Sequence, residues 1–172
     1  MHETDAELDE LDELLERSLS SSTAHLRSII QPGERTLTAR QLAGVITGMC
    51  LLTLATVTAR GEPRVSAVDG HFLHGRWIFS TERSSAKARH LQRSPAASVD
   101  HLRGEELGVF THGRAELLNP ADGPVEPGFS STLGHLTEHY GVSPLEWGDV
   151  VIYRLQPHWM VAFASNPQQL LS

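Results

Sequence analysis

Lysine is almost missing from this 172-residue chain: Lys87 stands alone against thirteen arginines. Cysteine is also single, so no internal disulfide can form, and Cys50 sits in the apolar run Met49–Leu54, where a buried thiol is expected. No apolar stretch approaches the roughly 20 residues that a membrane-spanning helix needs. The start, Met1-His2-Glu3-Thr4-Asp5, lacks the basic head and apolar core of a secretory signal. These absences point to a cytoplasmic protein with no membrane partner. Bases are missing from the first sixteen residues, where eight acids fall before Arg17. From Arg17 onward thirteen acids meet fourteen bases, so the net charge of −7 belongs to the N-terminal segment. With no basic stripe anywhere, a nucleic-acid surface is not expected.

What is present divides into an acidic helical extension, residues 1–36, and a domain over 37–172. In the extension, Leu8, Leu11, Leu15 and Leu19 recur at helical spacing within Asp5–Leu19, with carboxylates between them. Their expected role is packing on the chain's own domain or on a second copy. A short helical piece follows at Ala24–Ile30. Thr38 caps a helix expected to run to Met49. Strands are expected at Leu51–Ala59, Arg64–Gly70, Trp77–Thr81, Ala96–Leu102 and Leu107–Leu118. Two closing strands, Val150–Leu155 and Trp159–Ala164, flank Gln156-Pro157-His158. Helices are expected from Ser84 or Ser85 to Arg93 and over Ser130–Tyr140. Six or seven strands joined mostly by tight turns, with few helices between them, predict an α+β protein built on an antiparallel barrel. A doubly wound parallel sheet would alternate helices with every strand.

The segment Trp77–Leu91, WIFSTERSSAKARHL, concentrates the chemistry. A strand ends in the hydroxyls Ser80 and Thr81, turns through Arg83, Ser84 and Ser85, and enters a helix carrying Lys87. Hydroxyls, cations and the free N–H groups of a helix start together form an anion site, most naturally for a phosphate.

Three blocks carry a family resemblance: LLTLATVTARGEPRVSAVDG (Leu51–Gly70), IFSTERSSAKARHLQRSP (Ile78–Pro95) and VFTHGRAELL (Val109–Leu118). In order and spacing they resemble the pyridoxamine 5′-phosphate oxidase-like split-barrel superfamily, over roughly Thr38–Ala164. Members bind FMN, and some bind the deazaflavin F420 instead. The resemblance implies a six- to seven-stranded antiparallel split β-barrel that is homodimeric, with flavin sites in grooves between subunits. It implies that Arg64, Val65, Ser66, Ala67 and Val68 line the isoalloxazine ring largely through backbone groups, with Arg64 also reaching the phosphate. Ser80, Thr81, Ser85 and Lys87 fall where the family holds that phosphate, and Arg83 is near enough in sequence to contribute. The activity implied is an FMN-dependent oxidoreductase of a small substrate. The alternatives are an F420-dependent reductase or a non-catalytic dimeric carrier or sensor.

Two positions depart from the family pattern: Asp69 stands where a base is usual, and Ala86 where an arginine precedes the lysine. The C-terminal block that grips a vitamin B6 phosphate is not recognisable, so that reaction is not expected. Ten histidines invite a metal reading, and the superfamily also has haem-binding relatives. His135 and His139 lie one helical turn apart, but without a third ligand spaced to them they read as solvated helix residues. His71 and His74 bracket a hairpin and are expected to be exposed or bonded to backbone. His112 lies where the resemblance approaches the groove. Trp147, Trp159 and Phe163 are expected to fill the barrel end and the dimer interface.

Overall fold

A computed structural model describes residues 2–171 of the chain. The N-terminal part holds α1 (Asp5–Ser20), α2 (Ala24–Ile29) and α3 (Ala39–Val45). There follow β1 (Cys50–Val57), β2 (Pro63–Leu73), β3 (Arg76–Glu82), α4 (Ala86–Arg93), β4 (Ala96–Arg103) and β5 (Leu107–Leu117). α5 (Phe129–Tyr140), a 3-10 turn (Pro144–Trp147), β6 (Val150–Ala164) and α6 (Pro167–Leu170) complete the order. The six strands close an antiparallel barrel in the order β1-β2-β3-β6-β5-β4.

Alternation builds the barrel. Cys50, Leu52, Leu54 and Thr56 of β1 are buried toward the inside, while Leu51 points out at 63% exposure. Cross-strand register places Leu52 opposite Val68, Phe72 opposite Trp77, Phe79 opposite Tyr153 and Leu54 opposite Val99, so inward side chains meet inward ones. Phe79 and Tyr153 stack at 5.4 Å. Cys50 is buried, as its apolar surroundings predicted.

The acidic helix α1 is part of this core. A capping box, with the Thr4 hydroxyl accepting from Glu7 N and the Glu7 carboxylate accepting from Thr4 N, starts it. Leu8, Leu11 and Leu14 then join the same buried cluster as Leu42, Phe72, Trp77 and Met160. Burying each such leucine stabilises the fold by roughly 1.5–3 kcal/mol. The helix is also pinned by a polar contact inside that cluster. The Ser18 hydroxyl, 2% exposed, accepts from Met160 N of β6 at 2.9 Å and donates to Leu14 O at 2.6 Å. Ser18→Ala orphans a buried N–H, and urea unfolding should report a loss of about 1–3 kcal/mol.

Two expected elements change. The closing strands are one continuous β6, because a register shift opposite His112 and Gly113 absorbs Gln156-Pro157-His158 without ending the ladder. The helix from Thr38 stops at Val45 instead of Met49. Ile46 takes extended backbone, and Gly48 turns at φ +67°, which leaves Met49 44% exposed. The barrel therefore has six strands.

Outside, α5 covers one side: Leu136 packs on Leu73, Ile78, Val150 and Ile152. On β6, Trp159 and Phe163 lie on the outer face, where they pack beside Leu19, Leu26, Ile30 and Val161 and not inside the barrel end. Trp147 sits on the 3-10 turn, half exposed, edge-on to Tyr140 at 5.0 Å. Among the described residues no helix is long and apolar enough to cross a membrane.

Candidate functional site

The ladder between β2 and β3 runs from Leu73/Arg76 only as far as Gly70/Phe79. Beyond that point Pro63–Asp69 pairs with β1 alone, and Ser80–Glu82 pairs with β6 alone. The facing edges of the two strands have no ladder partner among the described residues. This is the split in the barrel, and it leaves alternate residues of 64–69 with backbone donors and acceptors facing it, the others being bonded to β1. Free strand-edge groups are a template for hydrogen bonding to a partner or ligand.

At one end of this split stands the N-terminus of α4. Ser85 is its cap: the Oγ accepts from Ala88 N at 3.2 Å and also receives the Thr81 hydroxyl at 3.1 Å. Ser80, Thr81, Ser85 and Lys87 are each half-exposed, and the Lys87 ammonium has no hydrogen-bond or ion-pair partner among the described residues. The helix is fixed to β1 by His90 Nδ1 against Thr56 Oγ1 at 2.9 Å. Thr56 is the register partner of Arg64. The start of β2 and α4 are therefore at the same end of the barrel. Thr81 and Ser85 meet at the start of α4, and Lys87 follows in its first turn.

The arginines are less free than the lysine. The Arg64 guanidinium bonds the Glu62 carboxylate at 2.8 Å and Pro63 O at 3.1 Å, with at least half of each charged side chain exposed. Such a surface pair is worth under about 1 kcal/mol and yields easily to a better anion. Arg83 turns away. Its Nε bonds both carboxylate oxygens of Asp149, at 2.9 and 3.1 Å, and its Nη2 bonds Asn119 O at 3.4 Å. In this geometry Arg83 ties the β3–α4 turn to the approach of β6.

Asp69 lies where the β2–β3 ladder ends, next to Gly70, the register partner of Phe79. Five residues along a strand at about 3.3 Å each place it some 17 Å from Arg64. Its charge is felt by Tyr140 of α5, whose phenol is pushed up by burial first and by Asp69 second. Val65, Ala67 and Asp69 point outward and Ser66 and Val68 inward, in agreement with the alternation expected of this strand.

Several features needed the fold to appear. Glu62 as the partner of Arg64 and the Thr56–His90 tie have no signal in spacing alone. The histidines are also rearranged. His71 is 2% exposed and bonded to side chains, not backbone: Nε2 to the Tyr140 hydroxyl at 3.1 Å and Nδ1 to His135 Nε2 at 3.2 Å. His135 is accordingly half-buried instead of solvated. His112 stacks on Trp159 at 4.6 Å and bonds Ser98 Oγ at 2.8 Å. No group of three or more histidine, cysteine or acidic side chains among the described residues is arranged to hold a metal ion.

A six-stranded split barrel with a strand edge open beside a capped helix start defines the structural class. A model of the pyridoxamine 5′-phosphate oxidase family matches residues 39–160, and the chain belongs to that family. Its fold is similar to that of a conserved hypothetical protein from Mycobacterium tuberculosis, at 18% identity and TM-score 0.59, covering 81% of this chain and 92% of the other. An F420 reductase is similar at 19% identity and TM-score 0.52, with 68% and 93% covered. A pyridoxamine 5′-phosphate oxidase-related, FMN-binding protein from Nostoc punctiforme is similar at 18% identity and TM-score 0.53, with 65% and 72% covered. No curated protein sequence matches the chain.

Proposed function

We propose that the protein is a flavin-dependent oxidoreductase that holds FMN along the open edge of β2 and acts on a small substrate. The observation that carries this reading is the meeting of that backbone edge with Thr81, Ser85 and the partnerless Lys87 at one barrel end. An extended planar ring with several acceptors and N–H groups suits an unpaired strand edge, and a phosphate suits hydroxyls, one ammonium and a helix N-terminus. When bound, the flavin supplies hydride or electron transfer. The chain's own part is to fix the ring through residues 64–68, to neutralise the phosphate with Lys87 and Arg64, and to keep water from the ring.

A single subunit leaves the site open on one side, which motivates the second part of the proposal: two copies pair over it. The cross-strand row Val65–Ala55–Ser98–His112 lies on the outer face of β2, β1, β4 and β5. Val65, Leu51, Leu102, Met49 and Phe110 are exposed there by 38–69%. An apolar patch of this kind beside a half-built site fits a homodimer interface. Sedimentation should show a dimer at micromolar concentration, and Leu102→Glu should shift it toward monomer. A wild-type protein that sediments only as monomer overturns the pairing.

The cofactor is tested by titrating the purified apoprotein with FMN, riboflavin and F420. One FMN per subunit is expected. Lys87→Gln should weaken FMN by roughly 10- to 150-fold, the range for a lost hydrogen bond to a charged group, and leave riboflavin binding unchanged. Binding of F420 with no binding of FMN would reassign the cofactor. Binding of none of the three, or an unaltered FMN affinity in Lys87→Gln, would remove the proposal.

A further inference from the structure

Away from the split, four imidazoles converge at the seam where α5 and the N-terminal segment meet the outer face of β2. The buried ring of His71 is the centre. It lies 4.7 Å from His139 and 5.1 Å from His135, both edge-on, and His135 in turn lies 4.7 Å from His2. Both His71 nitrogens are in use, one with the Tyr140 hydroxyl and one with His135 Nε2. A neutral imidazole carries one N–H and one lone pair, so this chain of contacts closes with no extra proton. The proton order can run from Tyr140 through His71 to His135 or in the reverse direction; either is satisfied while every ring is neutral.

The charged neighbours do not compensate an added proton on His71. The N-terminal segment contributes His2 and Glu3, and Glu3 already accepts from Gly75 N at 3.3 Å. α1 contributes Glu7, which is bonded to His74 Nδ1 of the β2–β3 turn at 3.1 Å and to Thr4. β2 adds Asp69, which acts on Tyr140. α5 carries His135, Glu138, His139 and Tyr140, with Glu138 the one group that favours a charged His135. The loop before β1 brings Ile46, Thr47 and Gly48 to the seam, none of them ionisable.

We propose that His2, His71, His135 and His139 form an acid-released latch, which clamps α5 and the N-terminal segment on β2 while neutral and opens when protonated. Each imidazolium added here stands within about 5 Å of another imidazole, and at the buried His71 like charges repel far more than at a surface. Burial is the leading cause that pushes His71 down, to about 4, with His135, His139 and His2 adding to it. The latched state therefore binds fewer protons than the open one. The clamp is complete above the ordinary histidine value near 6.5 and is lost as pH falls from there toward 4. Opening would uncover the apolar strip of Leu73, Ile78 and Ile152 beneath Leu136. It would also free the outer face of β2 next to Asp69. The barrel itself need not unfold, because β2 keeps its ladder to β1.

Amide hydrogen exchange of the full chain, converted to protection factors at each pH, reads this directly. Between about pH 7 and pH 5 the protection of residues 129–140 should fall at least tenfold relative to residues 107–117, one pK unit's worth of coupling. The variant H135Q/H139Q changes one half-buried and one exposed position on α5 and should make that extra fall measurably smaller. Histidine NMR should show the His71 ring still neutral at pH 5.5. The proposal is overturned if α5 and β5 lose protection together, if α5 keeps its protection, or if the variant responds like the wild type. A His71 ring that titrates near 6.5 overturns it as well.

Discussion

Trp77→Ala should be the most damaging single truncation of this protein. The indole is completely buried and forms the floor of the β2–β3 pair, opposite Phe72 in register and edge-on to its ring at 4.9 Å. Removing an aromatic side chain from a packed interior costs about 3–5 kcal/mol in lost transfer energy and residual cavity. A second loss adds to it. Trp77 Nε1 donates to Thr111 Oγ1 across the barrel at 3.2 Å, and Thr111 is only 1% exposed, so its hydroxyl is left without that donor. For a chain of this length, each kcal/mol lowers the melting temperature by roughly 2–4 °C, so a fall of roughly 10 °C or more is expected. Trp77→Phe keeps most of the apolar body and separates the two contributions: it should lose roughly half as much. A loss below about 1 kcal/mol for the alanine variant would mean that the barrel interior collapses around the gap, contrary to the close packing expected of a core.

The position of that tryptophan also shows what could be read from the sequence. Trp77, Phe79, Leu52, Leu54 and Val68 follow a two-residue alternation, which is why the strands and the antiparallel barrel were legible. The serine-rich turn into α4 was legible for the same reason: a cap residue and a strand end are local patterns. Features that depend on distant pairs were not. His71 and His135 are far apart in sequence, and only the packing of α5 on β2 brings them to 3.2 Å. Arg83 looks identical in sequence to an anion-binding arginine, and what diverts it is Asp149, a residue from the far side of the chain. The closing strands were divided at Pro157 because proline removes a ladder donor. The fold tolerates it by placing the register shift there.

That register shift sets up the second large effect. Gly113→Ala should destabilise the barrel by about 3 kcal/mol or more, the upper end for an overpacked interior. Gly113 lies opposite Pro157, at the point where β5 and β6 resume their pairing after the shift. A Cβ at this position would lie 2.3 Å from Gln156 O and 2.9 Å from Gln156 C. Both atoms are backbone, so no rotamer change relieves the contact and the β6 chain itself must move. Gly70 makes a useful contrast. A Cβ there would meet Leu52 Cδ1 at 2.2 Å and Cγ at 2.6 Å, but these belong to a side chain that can rotate. Gly70→Ala should therefore cost less than Gly113→Ala, although its contact is nominally the closer. Urea unfolding of the two variants ranks them. If Gly70→Ala proves the worse, the β6 backbone at Gln156-Pro157 is more pliable than its continuous ladder implies, and the barrel wall there bends where the interior packing of β1 does not.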